Sequence, residues 1–280
     1  MAQNASFTDI NTLPAKVADH KIAYGKDPRQ FGELRLPKGK GPFPVIILIH
    51  GGCWGDFADA AYFRNHATRL TAAGAATWNI EFRRVEEPGG GWPGTLQDVG
   101  AAVDHIRIVA KSYPLNLRSV VTTGHSAGGH LALWAAGRKQ IPKDSPLYVA
   151  NPLPISAVVS IAGIPDLAAF LEYGRRPCGD RHIRLVDGTP ESVPTHYRAA
   201  SPLELLPLGV PQTLIFGGKD RTVPGDLFKK YVAKARAAGD QLFEIDLPDS
   251  AHFDYYLPGS KEEERTVAAI LHAAQSKLKH

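Results

Sequence analysis

The stretch Val120-Val-Thr-Thr-Gly124-His-Ser126-Ala-Gly128-Gly-His130 decides the fold of this chain. Its first half is a short apolar run rich in β-branched residues, which is typical of a buried strand, and residues 127–138 follow with a helical pattern. The segment 124–128 between them fits G-x-S-x-G, a motif that places a serine on a tight turn from strand to helix. Glycine is required at both ends because a Cβ atom there would collide with neighbouring backbone. We therefore expect Ser126 on a strained turn, with its hydroxyl exposed at the end of a strand.

Strand and helix patterns alternate on both sides of this turn. Short apolar runs predict strands at 45–50, 76–82, 155–161, 213–216 and 242–247, and helical patterns cover 60–73, 96–110, 226–238 and 261–277. Residues 45–49 show no polar alternation, which suits a strand covered on both faces. The alternation predicts an α/β fold: a doubly wound, mostly parallel sheet flanked by helices, in one domain over residues 1–280. Residues 20–24 and 31–36 are predicted to be antiparallel edge strands.

Residues 165–210 interrupt that alternation. They contain six prolines and only one short helical pattern, at 166–173. The segment is too long for an ordinary connection, and we expect it to form a lid or a pocket wall inside the domain.

A second glycine-rich turn, His50-Gly-Gly-Cys-Trp54, follows the apolar strand directly. Glycines allow backbone N–H groups to point into a cleft, and an acyl-transfer enzyme needs such donors for the oxyanion that develops during the reaction. The candidate donors are the N–H groups of Gly52, Cys53 and Ala127.

A serine nucleophile also needs a general base and an acid that orients that base. His252 lies in a loop after the last predicted strand, and Asp220 follows the strand at 213–216. The chain order Ser126, Asp220, His252 is the order expected for this type of turn. Asp166 is the rival acid, because it also follows a predicted strand.

These motifs together resemble the α/β-hydrolase fold, and the chain is similar to bacterial carboxylesterases and kynurenine-formamidase-like hydrolases over about residues 20–277. The resemblance implies a serine hydrolase that cleaves carboxylic esters through an acyl-enzyme and needs no cofactor. We expect short-to-medium acyl chains because no long apolar lid is evident in the sequence, and no metal because metal-binding motifs are missing from it. It implies the following site: nucleophile Ser126, acid Asp220, base His252, and oxyanion donors Gly52, Cys53 and Ala127. The chain departs from the pattern at Cys53, where hormone-sensitive-lipase-like members usually carry a third glycine.

Three aromatic residues near the motif loops, Trp54, Trp92 and Phe253, are predicted to line the substrate pocket. The alternatives within the enzyme class are an arylformamidase acting on an N-formylkynurenine-type amide and a small peptidase. The alternative outside it is a non-catalytic binding protein with a hydrolase fold.

Charge and hydropathy indicate which classes of partner this chain binds. The net charge is +4 with the basic residues scattered, a pattern that argues against nucleic-acid binding. No run approaches the ~20 apolar residues of a membrane helix, so we expect no membrane partner. The expected partner is the small-molecule ester substrate, and the oligomeric state stays open. The N-terminus resembles no signal peptide, which predicts a cytoplasmic protein, or an exported one if a signal has been trimmed. Cys53 and Cys178 can form a disulfide only if residues 165–210 fold back over the 50–54 loop. The sequence does not define that geometry, so the pairing stays open and two separate thiols are the favoured expectation.

Overall fold

The computed structural model describes residues 5–275, and its centre is an eight-stranded sheet with helices on both faces. The strands are β1 His20–Ala23, β2 Phe31–Arg35, β3 Phe43–Ile49, β4 Ala76–Ile80, β5 Leu115–His125, β6 Ala157–Ile161, β7 Gln212–Gly217 and β8 Leu242–Leu247. The helices are α1 Phe7–Asn11, α2 Arg64–Ala72, α3 Gly94–Val109, α4 Ala127–Ala136, α5 Leu171–Cys178, α6 Arg181–Val186, α7 Pro194–Ala200, α8 Asp226–Ala237 and α9 Lys261–Gln275.

The sheet has the strand order β1-β2-β4-β3-β5-β6-β7-β8. Strand β2 pairs antiparallel with β1 and β4, and the remaining neighbours pair in parallel. The predicted doubly wound, mostly parallel sheet and its antiparallel edge are therefore confirmed.

The central strand β3 shows why the sheet is covered on both faces. Its odd-numbered residues 45, 47 and 49 belong to one apolar cluster, which includes Val99 of α3 and Leu131 of α4. Its even-numbered residues 46 and 48 belong to a second cluster, which includes Leu70 of α2 and Ile270 of α9. Because side chains alternate along a strand, the uniformly apolar sequence of β3 satisfies both layers. Among residues 5–275, no helix is both long and apolar enough to cross a membrane.

The parallel strands bring the loops of interest to one edge of the sheet. The 50–54 loop follows β3, Ser126 follows β5, Asp220 follows β7 and His252 follows β8. The carboxyl ends of parallel strands lie on the same side, which is where open α/β sheets form their binding crevices.

Some element boundaries differ from the sequence predictions. The helix expected at 166–173 is found at Leu171–Cys178, because the Asp166 carboxylate accepts the N–H groups of Ala168 and Ala169 and holds a separate turn before it. The predicted helix 261–277 is observed to Gln275, and its last two residues lie outside the described part of the chain. Helix α1 was not predicted, since five residues are too few to display a helical period.

Three histidines are enclosed completely by the packed layers. Burial lowers the pKa of His66 to about 3 and that of His130 to about 4, and the Arg69 guanidinium also lowers the pKa of His66. Burial, followed by the neighbouring His252, lowers the pKa of His125 well below its usual value. These imidazoles therefore stay neutral in the folded protein at pH values where an unfolded chain would protonate them.

The stability of the fold should consequently fall as the pH drops below about 6.5, the ordinary histidine pKa. Each of the three sites contributes up to about 1.4 kcal/mol per pH unit, because the unfolded state binds a proton that the native state excludes. Urea unfolding at pH 7.5, 6.5 and 5.5 measures this effect. His66→Gln should lower the slope by up to about 1.4 kcal/mol per pH unit, and replacing the exposed His20 by Gln should leave it unchanged. A free energy of unfolding that stays constant between pH 7.5 and 5.5 would contradict this assignment.

Candidate active site

Ser126 occupies the turn between β5 and α4 with φ +55°, in the left-handed region that non-glycine residues rarely adopt. A Cβ atom on Gly124 would overlap the Gly128 carbonyl, and one on Gly128 would overlap the Ile49 carbonyl. The Ser126 N–H donates to the Ile161 carbonyl at 2.9 Å, which ties the turn to β6. The strained turn expected from the motif is thus present, and it is held by close backbone packing.

His252 and Asp220 form a hydrogen-bonded pair beside this turn. The Nδ1–H of His252 donates to Oδ2 of Asp220 at 2.7 Å. The other carboxylate oxygen, Oδ1, accepts the N–H groups of Thr222 and Val223 at 2.8 and 2.9 Å. Both oxygens of the buried carboxylate therefore have a partner, and within residues 5–275 the Nε2 of His252, on the far side of the ring, forms no hydrogen bond.

The rival acid, Asp166, has different neighbours. One of its oxygens accepts the two N–H groups of the turn before α5, and the other lies 3.5 Å from the Lys230 ammonium group. Its carboxylate is therefore a local cap, and the structure pairs His252 with Asp220 instead.

The 50–54 loop adopts an unusual backbone conformation. Gly52, Cys53 and Trp54 have φ values of +97°, +54° and +57°. Side chains hold the two non-glycine residues in place. The buried Trp54 indole donates its N–H to Nδ1 of His130 at 3.3 Å, and Nε2 of His130 donates to the Ala200 carbonyl at 2.9 Å.

Cys53 is fixed by a covalent bond. It forms a disulfide with Cys178 at the end of α5, with the two Cα atoms 5.3 Å apart. The expectation of two separate thiols was wrong, because residues 165–210 do fold back over the loop and bring Cys178 beside it. The disulfide joins the candidate oxyanion loop to the segment that was expected to form a pocket wall.

A buried carboxylate supports the same loop from behind. Glu81 Oε1 lies 3.2 Å from Nε2 of His50, and its Oε2 accepts the Ala60 N–H at 3.0 Å. Burial alone would raise the pKa of Glu81, but His50, Arg84 and the Phe82 N–H oppose it and hold the pKa at about 2. Glu81 therefore remains ionised and accepts hydrogen bonds from His50, at the start of the loop, and from Ala60, which follows it.

His125, the variable residue of the motif, connects three parts of the site. Its Nε2 lies 2.7 Å from the backbone carbonyl of His252, and its Nδ1 lies 2.6 Å from the Tyr62 hydroxyl. A carbonyl can only accept, so Nε2 carries the proton and Nδ1 accepts from Tyr62. The neutral imidazole thereby joins the serine turn to the loop of His252.

These groups enclose one pocket of about 220 Å³. It is lined by Phe7, Gly52, Cys53, Phe57, Tyr62, His125, Ser126, Pro177, Thr222, His252 and Phe253. Of the aromatic residues predicted to line the pocket, Phe253 is in this set. Trp54 lies instead in the core against His130 and Phe170, and Trp92 stacks on His196 at 4.1 Å.

Sequence reasoning missed Phe7, Tyr62, Pro177 and Thr222 as lining residues. One signal for Phe7 was available: Ser6-x-x-Asp9 matches a capping box, which marks the start of a helix. Tyr62 could not be found in this way, because its proximity to Ser126 depends on how the 50–63 segment folds back across the sheet edge.

Within residues 5–275, no group of three or more His, Cys, Asp or Glu side chains is arranged to hold a metal ion. The polar side chains that line the pocket are instead hydroxyls and imidazoles, among them those of Ser126 and His252. Such a set suits nucleophilic attack on a carbonyl.

The fold of the chain is shared with known esterase structures. The structure superposes on Esterase B from Lactobacillus rhamnosis with a TM-score of 0.78 and 21% sequence identity, covering 95% of this chain and 90% of that one. At this identity the likeness concerns the fold, and together with the sheet order it identifies the α/β-hydrolase fold.

Sequence comparison extends the likeness. The chain is 27% identical to Esterase LipC of Mycobacterium tuberculosis over 254 residues, which span 86% of this chain and 61% of that protein. It is 26% identical to Esterase LipQ of the same organism, over 75% of this chain and 50% of that protein. This chain thus matches only 50–61% of the length of these two relatives. The model of the BD-FAE family matches residues 33–233, well over half of the sequence, and the chain belongs to that family.

Proposed function

We propose that this chain is a serine carboxylesterase that hydrolyses small-molecule esters with short-to-medium acyl chains. The observation that carries the proposal is the hydrogen bond of 2.7 Å between His252 and Asp220, beside Ser126 in one pocket. The similarity to Esterase LipC and Esterase LipQ of Mycobacterium tuberculosis supports the same activity.

The proposed reaction proceeds in two halves. The Oγ of Ser126 attacks the ester carbonyl carbon while Nε2 of His252 accepts the hydroxyl proton, and the Asp220 carboxylate stabilises the imidazolium. The N–H groups of Gly52, Cys53 and Ala127 are the proposed donors to the oxyanion. When the tetrahedral intermediate collapses, the C–O bond to the alcohol breaks and the alcohol departs with the proton from His252. A water molecule then attacks the acyl-enzyme by the same path, which releases the acid and restores Ser126.

We also propose that the chain acts as one domain in which residues 165–210 form a fixed pocket wall. Two contacts support a fixed position: the Cys53–Cys178 disulfide and the 2.5 Å ion pair between Arg181 and Glu86. A wall held in this way restricts the length of the substrate without an opening step.

The activity itself is tested with p-nitrophenyl acetate, butyrate and octanoate beside N-formylkynurenine. The Ser126→Ala variant should lower kcat by roughly 10³–10⁶, because the nucleophile is lost while the fold keeps its packing. Ester hydrolysis that disappears in this variant supports the proposal. Dominant turnover of the formamide would reassign the enzyme as an arylformamidase. The absence of any Ser126-dependent turnover on these substrates would refute the proposed activity.

The assignment of the acid is tested by two matched substitutions of buried aspartates. Asp220→Asn should reduce kcat by on the order of 10³–10⁴, because the amide no longer orients the imidazole or stabilises its charged form. Asp166→Asn should leave kcat within a factor of about two, because this carboxylate bonds to the turn before α5 and to Lys230, away from His252. The opposite order of effects would move the acid to Asp166.

The disulfide should matter for both stability and rate. In the Cys53→Ser/Cys178→Ser double variant, the lost constraint on a loop of 125 residues should cost about 4–5 kcal/mol of stability. We expect kcat to fall by on the order of tenfold or more at temperatures well below unfolding, because residue 53 is then free to leave its left-handed conformation. Assaying the parent enzyme with and without a reducing agent provides the control. An unchanged kcat in the folded double variant would show that the loop keeps its shape without the bond.

A further inference from the structure

The N-terminal helix α1 supplies one wall of the Ser126 pocket. The half-buried side chain of Phe7 is among the lining residues. Its ring centroid lies 5.7 Å from that of Phe57, 5.8 Å from that of Tyr62 and 6.3 Å from that of Phe253. These separations are typical of packed aromatic pairs, so the four rings form one continuous apolar surface.

The helix that carries Phe7 is held in a defined position. Its start is closed by a capping box, in which the Asp9 N–H donates to the Ser6 hydroxyl and the Asp9 carboxylate accepts the Ser6 N–H at 2.8 Å. At its other end, the Ile10 side chain is only 2% exposed and belongs to the core cluster of α2 and α9. Phe7 thus lies between a capped helix start and a buried anchor.

The same segment is bonded to the loop of His252. The carboxylate of Asp254 accepts the Ala5 N–H through Oδ1 and the Ala251 N–H through Oδ2, both at 2.8 Å. One side chain therefore fixes the position of the N-terminal segment relative to the proposed general base. Phe7 is placed with respect to the reacting groups by this connection as well as by its own packing.

We propose that Phe7 is a specificity-determining residue, which limits the size of the ester group that fits beside Ser126 and favours an uncharged, apolar one. This proposal rests on the proposed esterase activity. None of the described residues that line the pocket is Asp, Glu, Lys or Arg, so a charged group would lose its hydration without gaining a partner. A rigid ring that closes one wall excludes longer chains by overlap, and in such pockets a single methylene group can change kcat/KM by tenfold or more.

The test compares Phe7→Ala and Phe7→Trp with the parent and with Thr8→Ala, which alters an exposed side chain of the same helix. The readout is the ratio of kcat/KM for octanoate to that for acetate, measured with p-nitrophenyl esters. A second ratio, octyl acetate to methyl acetate, reports the alcohol group instead. Both ratios are independent of the fraction of folded enzyme, so a loss of stability in one variant does not imitate the effect.

We expect Phe7→Ala to raise one of the two ratios by about tenfold, Phe7→Trp to lower the same ratio, and Thr8→Ala to change neither. The ratio that responds identifies whether the acyl or the alcohol group contacts Phe7. Asp9→Ala, which removes the capping box but keeps the ring, should shift the same ratio in the direction of Phe7→Ala.

An active parent whose two ratios are unchanged in both Phe7 variants would overturn the role of Phe7 and leave the esterase proposal intact. A parent without Ser126-dependent ester turnover would overturn the proposed function itself. A shift of equal size in Thr8→Ala would show that any change in the helix alters selectivity, and it would also reject the specific role of the ring.

Discussion

The close approach of three backbone segments at the carboxyl edge of the sheet is the constraint on which the site depends. Neither Gly124 nor Gly128 has room for a Cβ atom, because the carbonyls of Gly128 and Ile49 fill that space. This packing forces the chain from β5 into α4 within one residue, and that residue, Ser126, takes the strained left-handed conformation. The same turn also brings the start of α4 against the end of β3, so Ser126 and the 50–54 loop lie at one edge of the sheet.

Around this turn, buried side chains hold the proposed reacting groups in place. Neutral His125 links Tyr62 to the backbone of His252, while Glu81 and the Trp54–His130 pair hold the 50–54 loop from behind. The low pKa values of His125 and His130 follow from the same burial that makes these contacts rigid. Precise placement of the loops and loss of stability at acidic pH are therefore two consequences of one packing arrangement.

The parallel sheet and the order of the proposed reacting residues could be predicted from sequence because both depend on local patterns. Apolar runs mark the strands, and the loops that follow the strands contain Asp220 and His252. Position left Asp166 as a rival acid, and the hydrogen bond to His252 distinguishes Asp220 from it. The contacts of Phe7 and the partner of Cys53 depend on chain segments that are distant in sequence and meet only in the folded molecule. Trp54 is a residue for which the local pattern gave the wrong prediction. Its position in the 50–54 loop suggested a pocket residue, but its side chain is buried in the core and donates a hydrogen bond to His130.

The Cys53–Cys178 disulfide explains how this chain accommodates a cysteine where hormone-sensitive-lipase-like members usually carry a third glycine. A glycine at this position could adopt φ +54° at little cost, whereas a cysteine must be held there by its surroundings. The bond to Cys178 provides that restraint, and it also attaches the loop to α5, whose Pro177 lines the pocket. The left-handed conformation of residue 53, which a glycine would adopt freely, is here fixed by a covalent bond to α5 on the other side of the pocket. The candidate oxyanion loop and the proposed pocket wall are consequently joined by a covalent bond at the edge of the Ser126 pocket.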